Sequence, residues 1–135
     1  VQTRFFSIRR SFYREDMEGM FQVDYIKNLS IVAVTGEVGF EKIIGLGMYA
    51  LEEGTVAEVA FSVSKEWQGK GIASVLLEKI AEAARENGIT SLVAYMLSTN
   101  KGMIKLFNRL PYKIETKMEE GMLVMRCNFE KEAGS

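Results

Sequence analysis

A single α/β domain with a mixed sheet is what this chain predicts, and three stretches predict it. In "TVAEVAFSVS", Ala57, Val59, Phe61 and Val63 alternate with Glu58, Ala60, Ser62 and Ser64, the period of a strand. From Gly71 the period changes: Ile72, Val75, Leu76, Lys79, Ile80, Ala83 and Ala84 recur three and four residues apart, as on a helix. "ITSLVAYMLS" then returns to strand character, completing a strand–helix–strand crossover.

The other elements follow in order. Residues 4–14, "RFFSIRRSFYR", mix aromatics with four arginines and read as the end of a helix or its exit. "LSIVAVTG" at 29–36 reads as a buried strand ending in a turn, and "EKIIGLGMYALEEG" as a second strand closed by a hairpin turn. The "NG" at 87–88 stops the long helix. "NKGMIKLFNRL" reads as a short helix cut off by Pro111, the single proline, and "YKIETKM" pairs with "MLVMRCNF" across "EEG" at 119–121. No repeat or linker interrupts the chain, so residues 1–130 are expected to form one domain and 131–135 a disordered tail or linker remnant.

Composition narrows the function. The 135 residues are 47% hydrophobic and 26% charged, as in an ordinary globular protein, with a net charge of -1. That balance argues against a mainly electrostatic nucleic-acid binder, and no apolar stretch is long enough for a bilayer, so neither partner is expected. One cysteine, Cys127, excludes an internal disulfide framework and suits a cytoplasmic location. The chain has no histidine, which removes every histidine base and histidine metal ligand and leaves a zinc site only one cysteine and carboxylates, a poor ligand set. It opens with Val1 and so reads as a piece of something longer.

The stretch "SKEWQGKGIAS" at 64–74 carries the first functional signal. It joins the carboxyl end of a strand to the start of a helix, the edge where α/β sheets gather ligands. Unpaired amides at a helix start and the helix dipole favour an anion, and glycine lets the backbone approach it. The natural occupant is a phosphate or pyrophosphate; the plain alternative is a glycine-rich connector. The stretch has neither the GxxxxGK[ST] of nucleotide hydrolases nor the GxGxxG of dinucleotide folds.

"QGKGIA" fits the pattern Gln/Arg-x-x-Gly-x-Gly/Ala with Gln68, Gly71 and Ala73, and "NKGMIKLFNRLPY" resembles Asn-x-x-Ala-x-x-Leu-Tyr-x-x-x-Gly-Phe. In this order the two motifs resemble the GNAT superfamily of acyl-CoA-dependent N-acyltransferases, over residues 29–127. "RFFS", "LSIVAV" and "AEVAFSV" look like the bacterial and archaeal protein lysine acetyltransferases. The resemblance implies a GNAT-like, mostly antiparallel mixed sheet with one right-handed crossover and flanking helices. It also implies a chain that begins late, without the usual first strand and part of the first helix, and a fused regulatory or acyl-CoA synthetase-like domain elsewhere.

For the site, the resemblance implies acetyl-CoA as co-substrate and no metal. Gln68, Gly69, Lys70, Gly71, Ile72, Ala73 and Ser74 would hold the CoA pyrophosphate. The backbone about Phe61, Ser62 and Val63 would pair with the pantetheine arm, Asn100 would orient that arm or the neighbouring helix, and Phe107 would pack beside the thioester. Many relatives have tyrosine where Phe107 stands, to protonate the leaving thiolate, which phenylalanine cannot do. Tyr95 and Tyr112 are nearby in sequence, though packing is the commoner role.

Glu58 is the candidate base. A carboxylate on a largely buried strand needs a partner or a purpose. The run from 58 to 64 spans roughly 20 Å, comparable to an extended pantetheine arm. An acceptor amine, with an unperturbed pKa of about 10.4, must lose a proton before it attacks a thioester, and a partly desolvated glutamate can take it. An ion pair with a lysine or arginine is the alternative for Glu58. Cys127 has no base to activate it and reads as a core cysteine, which favours direct transfer over an acyl-enzyme. Methionines read as core filler, the early arginines as a solvated basic face, and the "EE" pairs at 52–53 and 119–120 as turn-flanking charge.

The sequence therefore points to an N-acetyltransferase acting on a primary amine, a protein lysine above all. The alternatives are a small amine or amino-terminal acceptor, or a catalytically weak acyl-CoA sensor controlling an attached domain.

Overall fold

The computed structural model describes residues 3–15 and 22–133, the side chains of 8–15 and 22–27 excepted. Residues 4–14 are a strand, not the helix end expected for them. This β1 (Thr3–Glu15) pairs antiparallel with β2 (Gln22–Thr35), running from Thr3 opposite Thr35 to Glu15 opposite Gln22. Phe5, Phe6, Ile8, Phe12 and Tyr13 are strand formers, and they follow that preference once β2 offers an edge to bond. A strand therefore does precede "LSIVAVTG", which forms the second half of β2.

β3 (Lys42–Glu53) and β4 (Val56–Val63) continue the antiparallel meander, with a left-handed Gly54 in the turn between them. α1 (Ile72–Glu86) crosses over to β5 (Ser91–Met96), which lies parallel to β4. Asn87 caps α1, and Gly88 with φ of 81° turns the chain away. After α2 (Lys101–Asn108), β6 (Tyr112–Glu119) and β7 (Met122–Glu132) form the last hairpin. β7 continues two residues past position 130, where the sequence analysis ended the domain. The seven strands lie in the order β1-β2-β3-β4-β5-β7-β6, and every neighbouring pair except β4–β5 is antiparallel.

Both helices pack on one face of this sheet. Leu76, Leu77 and Ile80 of α1 and Phe107 of α2 share a core with Leu29, Ile31, Tyr49, Leu92 and Met125 from the strands. Tyr49 is fully buried, and its hydroxyl accepts a hydrogen bond from Asn87 at 2.8 Å. The opposite face carries Met48, Glu58, Ala60, Tyr95, Glu115 and Arg126, all exposed.

Two glycines in β3 set how closely α1 approaches. A Cβ on Gly45 would stand 3.0 Å from Cγ2 of Ile72 and 3.2 Å from Cδ1 of Leu76. One on Gly47 would meet Leu76 Cβ at 3.3 Å and Phe61 Cδ1 at 3.2 Å. The helix thus rests on bare backbone, and interiors packed this tightly tolerate added volume poorly. Gly45→Val should lower unfolding free energy by about 1–3 kcal/mol, read from urea midpoints.

Candidate active site

β4 and β5 pair over three residues only: Val56 with Ser91, Ala57 with Leu92 and Glu58 with Val93. Beyond Glu58 the two strands part, and the rest of β4 has a free edge on that side. The amide of Ser64 donates to Ile44 at 2.8 Å, toward β3. Backbone groups alternate in direction along a strand, so those of Val59, Phe61 and Val63 face the gap. The Val63 carbonyl is taken by the Gln68 side chain, and the row of backbone groups left over beside a cleft is a template for an extended ligand.

The gap leads to the loop before α1. Gly69 and Gly71 have φ of 78° and 82°, the left-handed region, which Lys70 between them does not enter. A Cβ on either glycine would meet nothing within 4 Å, so backbone conformation is what fixes these two residues. Gly71 is the N-cap and brings no side chain to the helix start. The first helical bond runs from Val75 to the Gly71 carbonyl, which leaves the amides of Ile72, Ala73 and Ser74 without intrahelical partners. No acidic residue occupies the first turn. The Gln68 side chain donates to the Val63 carbonyl at 3.1 Å, tying the loop to the end of β4.

Phe61, Ser62, Val63, Gln68, Gly69, Gly71, Ile72, Ala73, Ser74 and Asn100 come together around one cleft of about 510 Å³. Lys70 and Phe107 do not line it. Phe107 is fully buried in the core, so the place beside the cleft that the sequence analysis gave it falls to Leu106 and Met103. One residue along a helix is a rotation of about 100°, enough to exchange the two faces. Asn100 accepts from the Met103 amide at 3.1 Å as the N-cap of α2, so of its two expected roles it orients the helix. Trp67, Gly102 and Arg109 also line the cleft, and sequence reading missed them. The three-residue spacing of Asn100, Met103, Leu106 and Arg109 marks the α2 face concerned.

Glu58 stands on the other face of the sheet, where the strands part. It is exposed, contrary to the partial desolvation expected of it, because its own-face neighbours Ala50 and Ala60 are small and both helices lie on the far side. Among the described residues it joins no ion pair, which leaves the ion-pair alternative without a partner. Next to it a cleft of about 590 Å³ has Val56, Val93 and Val124 together with Glu52, Glu53, Glu115 and Glu119, against Lys117 and Arg126. The "EE" pairs, read from sequence as plain turn charge, thus supply three of its four carboxylates.

Tyr95 lines the same cleft and donates to both Glu52 oxygens, at 2.8 and 3.0 Å. Its phenol is pushed up to about 12 by that hydrogen bond first, then by burial and by the charges of Glu52, Glu119 and Glu58. Its hydroxyl is directed at Glu52, in the cleft on the face away from the α1 amides. Tyr112 packs edge-on against Phe129 at 5.1 Å, and its hydroxyl accepts from Arg85 at 2.8 Å.

The pattern that defines the Acetyltransferase (GNAT) family matches residues 3–112 of this chain. The chain belongs to the GNAT family. Acetyltransferase Pat of Mycolicibacterium smegmatis is 34% identical to this GNAT chain over 109 residues, 79% of the chain and 32% of the relative. Acetyltransferase PA5475 of Pseudomonas aeruginosa is 28% identical over 89 residues, 64% and 47% of the two. The GNAT domain of S. lividans PAT is similar in structure, with a TM-score of 0.65 at 32% identity over 76% of this chain and 61% of that one. A cAMP-binding acyltransferase from Mycobacterium smegmatis reaches 0.65 at 27% identity, over 88% and 37%. The GNAT chain thus spans about a third to a half of the length of these curated relatives.

Cys127 of this GNAT domain is fully buried, and burial pushes its thiol up to about 12 from an ordinary 9.0. The unfolded chain loses that proton near pH 9 while the folded one keeps it. Its stabilising effect is therefore complete below pH 9 and lost as pH rises toward 12. Urea midpoints should fall between pH 8 and pH 10, and Cys127→Ala should flatten the fall. At the loop, Gly71→Ala should lower unfolding free energy by about 1–2 kcal/mol, because alanine resists the left-handed region.

Proposed function

We propose that this domain transfers an acetyl group from acetyl-CoA to a primary amine, a protein lysine side chain, by direct attack with Glu58 as general base. The observation that carries the reading is the parting of β4 from β5 at Glu58. It joins a free strand edge and a set of bare helix amides on one face to a carboxylate on the other. Amides of Ile72, Ala73 and Ser74 suit a pyrophosphate, and the edge at Val59, Phe61 and Val63 suits the amide groups of a pantetheine arm. Phe61, Val63, Met103 and Leu106 supply apolar wall. An acceptor ammonium is favoured by the carboxylates beside Glu58, and a lysine stem by the valines among them.

Glu58 takes a proton from the acceptor ammonium, directly or through water. The freed amine attacks the thioester carbonyl carbon, backbone amides steady the oxyanion, and the carbon–sulfur bond breaks. The new amide nitrogen sheds its second proton and the thiolate takes one from solvent, since Phe107 has no proton to give. Glu58 is exposed in the free domain, where an acceptor amine can reach it. The acetyltransferase names of the relatives and the GNAT fold support this reading.

Glu58→Gln tests it. With acetyl-CoA and lysine peptides, kcat/KM should fall by roughly 10²–10⁴-fold while the Kd for CoA stays unchanged. An unaltered rate would remove Glu58 from the chemistry.

A further inference from the structure

Arg109 has no part in the chemistry above. It is the C-cap of α2, its backbone amide returning to the carbonyls of Leu106 and Phe107, and its exposed side chain lines the same cleft as the α1 amides. Among the described residues that line that cleft, none is an aspartate or glutamate and Arg109 alone is charged. Among the described residues it also joins no ion pair. A guanidinium on a cleft wall with no carboxylate to answer it offers up to five donors in a fixed fork, the geometry that fits a phosphate monoester.

We propose that Arg109 is the residue by which this domain recognises the 3′-phosphate of CoA. The inference rests on the acyl-CoA reading and adds to it a choice between two forms of the donor. CoA carries a pyrophosphate and, on its ribose, a separate 3′-phosphate. The amides of Ile72, Ala73 and Ser74 form one anion seat, and a single seat serves a single group. The monoester needs a counter-charge elsewhere on the cleft, and Arg109 is that charge. Lys65, Lys70 and Lys101, the lysines in the neighbouring stretches of chain, do not line the cleft. The competing role for Arg109 is to complement the dipole at the carboxyl end of α2, which would affect stability and leave ligand choice untouched.

Calorimetric titration with CoA and with dephospho-CoA separates these roles, using the full chain, Arg109→Gln and Arg109→Lys, each checked by thermal unfolding. The unaltered chain should bind CoA at least about ten-fold more tightly than dephospho-CoA. Arg109→Gln should weaken CoA by about 10–100-fold, leave dephospho-CoA within about two-fold, and be partly rescued by lysine. Equal weakening of both ligands would assign Arg109 to the pyrophosphate and overturn the proposal. A lower Tm with unchanged affinities would assign it to the helix end and overturn it too. An unaltered chain that binds both forms equally would sink the 3′-phosphate assignment alone. One that binds neither would sink the acyl-CoA reading along with it.

Discussion

Three parallel residue pairs between β4 and β5 govern the rest of this domain. A parallel pair cannot be closed by a tight turn, so the chain needs a crossover, and α1 is that crossover. The helix must start where β4 ends, which puts its unpaired amides beside the free edge of the same strand. The pairing also ends early. Had it continued past Glu58, the backbone of Val59, Phe61 and Val63 would be spent on β5, and the sheet would have no opening between its two faces.

The opening separates two electrostatic worlds across the thickness of one sheet. Among the described residues, bare amides, apolar walls and one guanidinium stand on the helix side; on the other, four carboxylates and two cations line a hollow with a valine floor. A net charge of -1 gives no hint of this division, because a sum over the whole chain carries no position. What matters to an anionic donor and a cationic acceptor is the local field, and each finds its complement on its own side.

Much of this was legible in the sequence. The change from a period of two before Ser64 to one of three and four after Gly71 located the crossover, and the glycines at 69 and 71 marked a loop in which those two residues take left-handed φ. β1 was misread because its strand character is realised by pairing with β2, while its aromatics and arginines follow no clean two-residue alternation. Alternation correctly set Glu58 on the face opposite Val59 but could not say what covers that face, hence the mistaken desolvation. The motif singled out Phe107, while packing turns its ring into the core and leaves Met103 and Leu106 on the cleft wall. Trp67 and Arg109 carried no signal of their own and emerge only when α2 and the loop are brought together.

Positions 45 and 47 give β3 an asymmetric tolerance. The seat of α1 there is made of main chain, which no substitution can trim, so variation at either position runs in one direction only. Every larger residue lifts the helix from the sheet and carries the amides at its tip outward with it. The seat of the helix beside the cleft is thus held by two α-hydrogens, at positions that do not themselves line the cleft.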